Sequence, residues 1–347
     1  VFRNLLRAGY KGELYPVNPA HDVIQGKQCY RNIKDIEQAV ELAVIATPAR
    51  TVNAILKSCG EKGVKSAIVI SAGFREAGGT GEQLEQTILN TARHYDIRLM
   101  GPNCLGMMRP SLGLDATFLD TPALEGRLAL ISQSGALCTA ILDWAAPHQL
   151  GFSTVVSLGN AADIDFGNVL DFLATDPKTD AILLYVEGIH DARAFMSGLR
   201  IAARVKPVIV LKVGRHARGS EAALTHTGAM SGSDDVFDAA LERAGVVRAK
   251  TFGQLFAAAE ILSSNRRVNG DRIAIVTNGG GPGVLATDRA EDLGISIAEL
   301  SEKTLDALDA QLPKFWSHSN PVDILGDAAP ETFGEAVSLC LNDKNVD

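Results

Sequence analysis

The stretch Leu224–Gly232, LTHTGAMSG, sets one histidine, His226, among small residues and two glycines. A neutral imidazole is nucleophilic near pH 7 and leaves readily once it carries an electrophile. Such a histidine can carry a transferred group, and its small neighbours leave room for a bulky one. A polar loop residue is the other reading, and the stretch alone leaves both open. Glu187, in YVEGIHD, ends a run that otherwise reads as a buried strand. A carboxylate there either orients a histidine or acts as a base, or it is a solvated strand end or helix cap. His190 reads as a surface loop residue.

Two strand–helix junctions have the composition to hold an anion. In LISQSGALCTAILDW a strand runs into Ser132-Gln133-Ser134-Gly135 and then an amphipathic helix. Ser134 and Gly135 there either present backbone N–H groups and the positive helix end to a phosphate, or simply cap the helix. In IAIVTNGGGPGVLATD, Gly279, Gly280 and Gly281 allow close backbone approach, and Pro282 suits a first helical turn. The spacing Gly281-x-Gly283-x-x-Ala286, with Glu299 ending the next strand, also matches a dinucleotide fingerprint. Locally, phosphate cradle, nicotinamide or flavin site, and tight strand–helix packing all remain open. In LMGPNCLGM, Asn103 is a candidate ligand-facing hydrogen-bonder. Cys104 lacks a local base to make it a nucleophile. No His, Cys, Asp or Glu cluster has metal-ligand spacing, and no Walker loop or Gly-x-Ser-x-Gly elbow occurs.

These residues need a scaffold, and the chain alternates strand-like and helix-like segments throughout, the pattern of parallel sheets covered by helices. In the first region apolar runs at 13–17, 42–47, 67–71 and 98–100 end in the turns NPA, TPA, SAG and GPN. In open α/β sheets such carboxyl-end turns are where ligands bind. Residues 109–126, with two prolines and no strong periodicity, read as a linker. Strands are then expected at 128–131, 153–157, 181–186 and 208–213, with helices between them. Apolar periodicity fails from Gly214 to Gly232, and further helices come near 236–244 and 252–262. The polar stretch Ser263–Asp271 reads as a second linker. A third unit begins with a strand at 273–277, a helix to about Leu293 and a strand at 295–298.

At 347 residues the chain has room for two or three such domains. A formal charge of −8 argues against nucleic acid or anionic membranes as principal partners. The five cysteines are scattered, an odd set that reads as reduced cytosolic thiols. No apolar run reaches the roughly 18 residues of a membrane span, and no signal-peptide pattern appears. The expected location is the cytoplasm. The chain opens with Val1 inside a helical pattern and closes on polar residues, so it is read as part of a longer protein lacking the first strand and glycine loop of a Rossmann-like domain.

The order of these features, GPNCLG, SQSGAL, YVEG, HTGAMSG and NGGGPGVLATD after Rossmann-like strand turns, resembles the NDP-forming acyl-CoA synthetases, the superfamily of succinyl-CoA synthetase. The likeness extends over essentially the whole chain and is strongest to the α portion of ADP-forming acetyl-CoA synthetases. It implies a CoA-binding Rossmann-like domain at 1–124, a flavodoxin-like ligase domain with a phosphohistidine loop at 125–265, and a truncated second ligase-like flavodoxin domain at 271–347. It implies His226 as phosphoryl carrier and Glu187 as the carboxylate that orients it. Ser134, Gly135, Gly280, Gly281 and Gly283 would cradle the phosphate, which reinterprets the Gly281–Ala286 fingerprint. CoA or acetyl-CoA would lie along Asn18, Thr47, Pro48, Ser71, Gly73 and Asn103. ATP or ADP, with magnesium, would be bound by an ATP-grasp part supplied in cis or as a β subunit, and an oligomer is expected. The implied reaction converts acyl-CoA, ADP and phosphate to acid, CoA and ATP. A second implied role is that of an acetyl-CoA-sensing region in a GNAT-type protein lysine acetyltransferase.

Overall fold

A computed structural model describes residues 1–216, 233–263 and 270–347. The chain divides into two compact units, Val1–Asn265 and Arg266–Asp347.

The first unit carries two sheets. Helix α1 (Phe2–Arg7) precedes a short hairpin, Val23–Ile24 with Lys27–Gln28. A parallel three-stranded sheet then forms from β1 (Leu42–Ile45), β2 (Ser66–Val69) and β3 (Arg98–Met100), linked by α2 (Ala49–Lys62) and α3 (Thr80–His94). Helix α2 buries Val52, Leu56 and Cys59, spaced at three and four residues, and stops at Gly63, whose left-handed φ of 91° ends the helix. The strand expected at 13–17 is reduced to one bridge, Val17 to Tyr30. Pro16 supplies only its carbonyl, which accepts from the Tyr30 N–H, and a proline cannot continue a ladder.

The second sheet has seven strands. Its parallel part is β6 (Leu124–Ser132), β7 (Gly151–Ser157), β8 (Ala181–Val186), β9 (Val208–Lys212) and β10 (Val247–Ala249), in spatial order β10-β9-β8-β6-β7. Numbered from β6, this is the 2-1-3-4-5 order of flavodoxin-like folds. Helices α4 (Gly135–Ala145), α5 (Phe166–Thr175), α6 (Ala192–Ala203), α7 (Asp234–Ala244) and α8 (Phe252–Ser263) cover it. Strands β8 and β9 are buried at every position, so they read as continuous apolar runs rather than alternating ones.

Residues 109–126 are not a free linker. Strand β4 (Gly106–Arg109) pairs antiparallel with β7, a turn comes next at Pro110–Leu112, and β5 (Leu114–Asp115) pairs back on β4. Buried polar side chains replace periodicity as the anchor here. Asn4 donates to the carbonyls of Thr117 and Leu119, and Asp115 accepts from both the N–H and the hydroxyl of Thr117. The two sheets also share a core, in which Ile68, Met100 and Cys104 cluster with Ala129, Ile131, Phe166 and Leu184. Segment 160–164 then runs beside β3. Its N–H groups at Asn160, Ala162 and Ile164 donate to the carbonyls of Pro102, Gly101 and Leu99.

The second unit starts the same way on a smaller scale. The strand expected at 273–277 is two short ones, β11 (Arg272–Ile273) and β12 (Val276–Thr277), succeeded by α9 (Gly280–Asp292), β13 (Ser296–Ile297), α10 (Glu302–Gln311), β14 (Val322–Asp323) and α11 (Pro330–Leu341). β11 pairs with β13 and β12 with β14, both parallel. The interruption has a visible cause. The Asn320 side chain sits there, accepting from the Ile275 N–H and donating to the carbonyls of Ile273 and Ala298.

Candidate active site

In a 2-1-3-4-5 sheet the crevice opens at the carboxyl ends of the first and third strands, where the connections leave in opposite directions. Here those strands are β6 and β8. β6 runs out into Ser132-Gln133-Ser134-Gly135, and β8 runs out into Glu187. Two residues chosen from sequence for different reasons therefore meet at the crevice.

Ser134 is the N-cap of α4, its hydroxyl accepting from the Leu137 N–H at 3.4 Å. The hydroxyl of Ser132 closes the turn, taking the Ser134 N–H at 3.0 Å and donating to the Ser134 carbonyl at 2.8 Å. Capping is thus real, and it coexists with an anion-binding geometry, because first-turn N–H groups lack intrahelical partners. Gly135 is small for packing reasons: a Cβ there would stand 2.9 Å from Leu105 Cγ.

Glu187 is buried, 7% exposed. Its backbone is fixed by Gln133, a residue with no motif of its own in the sequence. The Gln133 Oε1 accepts from the N–H groups of Glu187 (2.7 Å) and Gly188 (3.0 Å), and its Nε2 donates to the Gly188 carbonyl (2.7 Å). Tyr185, two residues before Glu187, lies close enough to feel its carboxylate. Burial, then that carboxylate, pushes the Tyr185 phenol well above its usual range. His190 is exposed, but its Nε2 lies 3.1 Å from an Arg75 guanidinium nitrogen. His226 lies outside the described residues.

In the first sheet the strand-end turns named from sequence are joined to one another. The Ser71 hydroxyl donates to the Thr47 carbonyl, and the Asn103 N–H donates to the Ser71 carbonyl at 2.9 Å. Pro48 is the N-cap of α2. Gly73 adopts φ 101°, and its N–H and that of Phe74 donate to Glu76 Oε1. Burial pushes the Glu76 carboxyl up, but the Asn160 amide and those two N–H groups outweigh it and hold the carboxyl below its usual range. Asn18 serves its own turn, its Oδ1 accepting from the Ala20 N–H. Cys104 is buried and donates to the Val69 carbonyl, and burial pushes its thiol up to about 12. That removes it as a nucleophile at neutral pH.

The second unit repeats the junction. Thr277, ending β12, takes the Gly279 N–H at 3.2 Å and donates to the Gly279 carbonyl at 2.9 Å, the pattern of Ser132 with Ser134. Gly283 is explained by packing, since its Cβ would lie 3.1 Å from Thr277 Cγ2. Around Gly281 a Cβ would meet nothing within 4 Å. A Cβ on Gly280 would lie 3.3 Å from Asp323 Oδ2. Asp323 is the last residue of β14, and Glu187 directly follows β8. Asp323 is not among the residues expected from sequence. Its signal is the same, a carboxylate closing an apolar strand, hidden here by the brevity of β14.

Fold and site together define an α/β protein with a Rossmann-like CoA-binding part and flavodoxin-like ligase parts. Family models agree: a CoA binding domain matches residues 1–110, a succinyl-CoA ligase like flavodoxin domain 125–262, and a ligase-CoA domain 273–347. The chain is 43% identical over 345 residues to the α subunit of acetate–CoA ligase (ADP-forming) I of Pyrococcus furiosus, covering 98% of this chain and 74% of that one. It is 42% identical over its full length to acetate–CoA ligase (ADP-forming) I of Archaeoglobus fulgidus, and spans half of that protein. Among solved structures, the acetyl-coenzyme A synthetase 1 of Candidatus Korarchaeum cryptofilum, in complex with phosphate and ADP, superposes with a TM-score of 0.95 at 38% identity, over 99% of this chain and 74% of that one. The chain belongs to the ADP-forming acetate–CoA ligase family of NDP-forming acyl-CoA synthetases. Among the described residues no helix is long and apolar enough to cross a membrane.

Proposed function

We propose that this chain is the CoA-binding and phosphoryl-carrying part of an ADP-forming acyl-CoA synthetase for acetate or a similarly short acid. Phosphate attacks the thioester carbonyl of acyl-CoA, giving acyl phosphate and releasing CoA as thiol. A ring nitrogen of His226 then attacks the phosphorus, and the acid departs as carboxylate. ADP takes the phosphoryl group from the histidine, giving ATP and free imidazole. An ATP-grasp part, in cis or as a separate subunit, would hold the nucleotide with magnesium. In this reading the domains are 1–124, 125–265 and 271–347, with β4 and β5 pairing onto the sheet of the second.

The observation that carries this reading is the placement of a buried carboxylate, Glu187, across a flavodoxin-type switch point from the helix end at Ser134–Gly135. A carboxylate there takes the N–H of an imidazole, leaving the other nitrogen to attack, while the helix N-terminus faces the incoming phosphate. In the second unit, Gly280, Gly281 and Gly283 open α9, and the exposed approach is at Gly281, away from Asp323. Turns at Thr47–Pro48, Ser71–Gly73 and Asn103, with Asn18, would receive CoA.

The test uses the complete enzyme, this chain with its ATP-grasp part, incubated with γ-labelled ATP. Acid-labile, base-stable label on the protein is expected, and its loss in His226→Ala. Absence of label in the wild type would leave CoA sensing as the better account.

A further inference from the structure

The turn after β7 carries Asn160, and every polar atom of this residue is engaged with the CoA-binding part of the unit. Its N–H donates to the Pro102 carbonyl at 2.9 Å, and its carbonyl accepts from Arg75 at 2.6 Å. Its Nδ2 donates to Glu76 Oε2 at 2.6 Å and to Glu85 Oε2 at 2.8 Å, and its Oδ1 accepts from Asn103 Nδ2 at 3.3 Å. Asn160 and Glu85 are both less than a tenth exposed. The preceding Gly159 permits this approach: at φ 56°, a Cβ there would collide with the Asn103 carbonyl oxygen.

Adhesion alone does not account for the arrangement. The shared apolar core already joins the two sheets. Bringing the Glu76 and Glu85 carboxylates onto one amide nitrogen sets like charges together, with Arg75 as the cation 3.5 Å from Glu85. Such a network favours one geometry more than it favours association. The geometry it fixes is specific. Glu76 uses one oxygen for Asn160 and the other for the N–H groups of Gly73 and Phe74, so the amide of Asn160 sets the shape of the Ser71–Phe74 turn and leaves Ala72 exposed at its tip.

We propose that Asn160, a residue of the ligase-like part, is a positioning residue for CoA binding that acts through Glu76 on the Ser71–Phe74 turn. This rests on the reading that the turn contacts CoA, and not on phosphohistidine. Glu76, Asn103 and Arg75 complete the link, and none of them is required to touch the reacting atoms.

Two substitutions in the complete enzyme break the link from opposite ends. Asn160→Ala removes the amide. Glu76→Gln keeps an acceptor for Gly73 and Phe74 while presenting a donor to a donor. Each is expected to weaken CoA about tenfold, both as KM and as the Kd from calorimetry. KM for ATP and for the acid, and the CoA-independent labelling of the protein by ATP, should stay within about twofold. The double variant should be no worse than the weaker single one, because one link is lost. Unchanged CoA affinity in either folded variant, or equal losses for all substrates, overturns the proposal. If Asn160→Ala does not fold, Glu76→Gln decides alone. A wild type that binds CoA but takes no label defeats the phosphohistidine reading and leaves this one standing or falling on calorimetry.

Discussion

The side-chain oxygen of Gln133 lies 2.7 Å from the backbone nitrogen of Glu187 and receives its hydrogen. With the Gly188 N–H and carbonyl also held, one amide fixes the turn that carries the candidate catalytic carboxylate. The amide orientation is determined, since a flip would set its NH2 group against two N–H donors. Replacing Gln133 by Leu would leave three buried backbone groups unsatisfied. We expect a loss of about 3 kcal/mol, read as a lower urea midpoint at unchanged slope. Gln133→Glu keeps the acceptor for the two N–H groups but sets a carboxylate oxygen against the Gly188 carbonyl, so it should not restore the lost stability.

Glu187 itself should be dispensable for CoA. Glu187→Gln keeps the shape of the side chain and removes the charge that favours an imidazole N–H. Labelling by γ-labelled ATP should slow by about a hundredfold, with the calorimetric Kd for CoA unchanged. A variant that labels at the wild-type rate would remove Glu187 from the proposed mechanism.

Much of this architecture can be read from residue order alone. Alternating apolar runs and amphipathic helices locate the parallel sheets, and Ser132–Gly135 and Thr277–Gly281 identify themselves as strand–helix junctions by composition. What stays hidden is the long-range polar structure. Residues 109–126 look like a linker because Asp115, Thr117 and, far upstream, Asn4 hold them with hydrogen bonds rather than with periodic apolar contacts. Gln133 looks like a spacer between two serines, though its amide closes on a turn more than fifty residues away. Asn160 and Arg75 carry no local pattern: their side-chain hydrogen bonds and the Asn160 carbonyl reach partners 57 to 115 positions off, and only the Arg75–Glu85 ion pair is nearer in sequence. Asn320, which splits the expected strand at 273–277, is invisible for the same reason.

The Arg109–Asp176 pair makes stability depend on acid in a defined direction. Arg109 donates to Asp176 at 2.8 Å and to Thr154 at 2.9 Å, and both members of the ion pair are largely buried. Burial pushes the Asp176 carboxyl up, but Arg109, Thr179 and the Lys178 N–H outweigh it and hold it below its usual range. A depressed folded value contributes stability above the unfolded value, near ~3.9, and that stability is lost as pH falls through the folded one. Arg109→Ala should therefore cost about 3 kcal/mol at neutral pH. The gap to wild type should narrow below about pH 4, as measured by chemical denaturation across pH.

All five cysteines are free and buried. Burial pushes the thiols of Cys104 and Cys138 up to about 12 and those of Cys59 and Cys340 to about 11. Ellman's reagent at pH 8 should find almost no reactive thiol in the native chain, and five after denaturation. Rapid native reaction at Cys104 would contradict its place against the Val69 carbonyl.

The glycines that open α9 separate packing from binding. Gly283 faces Thr277 Cγ2 at 3.1 Å, so Gly283→Ala requires the Thr277 methyl to give by a few tenths of an ångström and should cost about 1 kcal/mol. Gly281 faces open space at ordinary φ, so Gly281→Ala should leave stability unchanged or raise it by up to about 1 kcal/mol. The same methyl would stand where a phosphate is proposed to approach the helix end. KM for phosphate, in the direction of ATP synthesis, should therefore rise several-fold in Gly281→Ala while the thermal midpoint does not fall. A Gly281→Ala enzyme with normal phosphate affinity would place the anion elsewhere and return this junction to strand–helix packing alone.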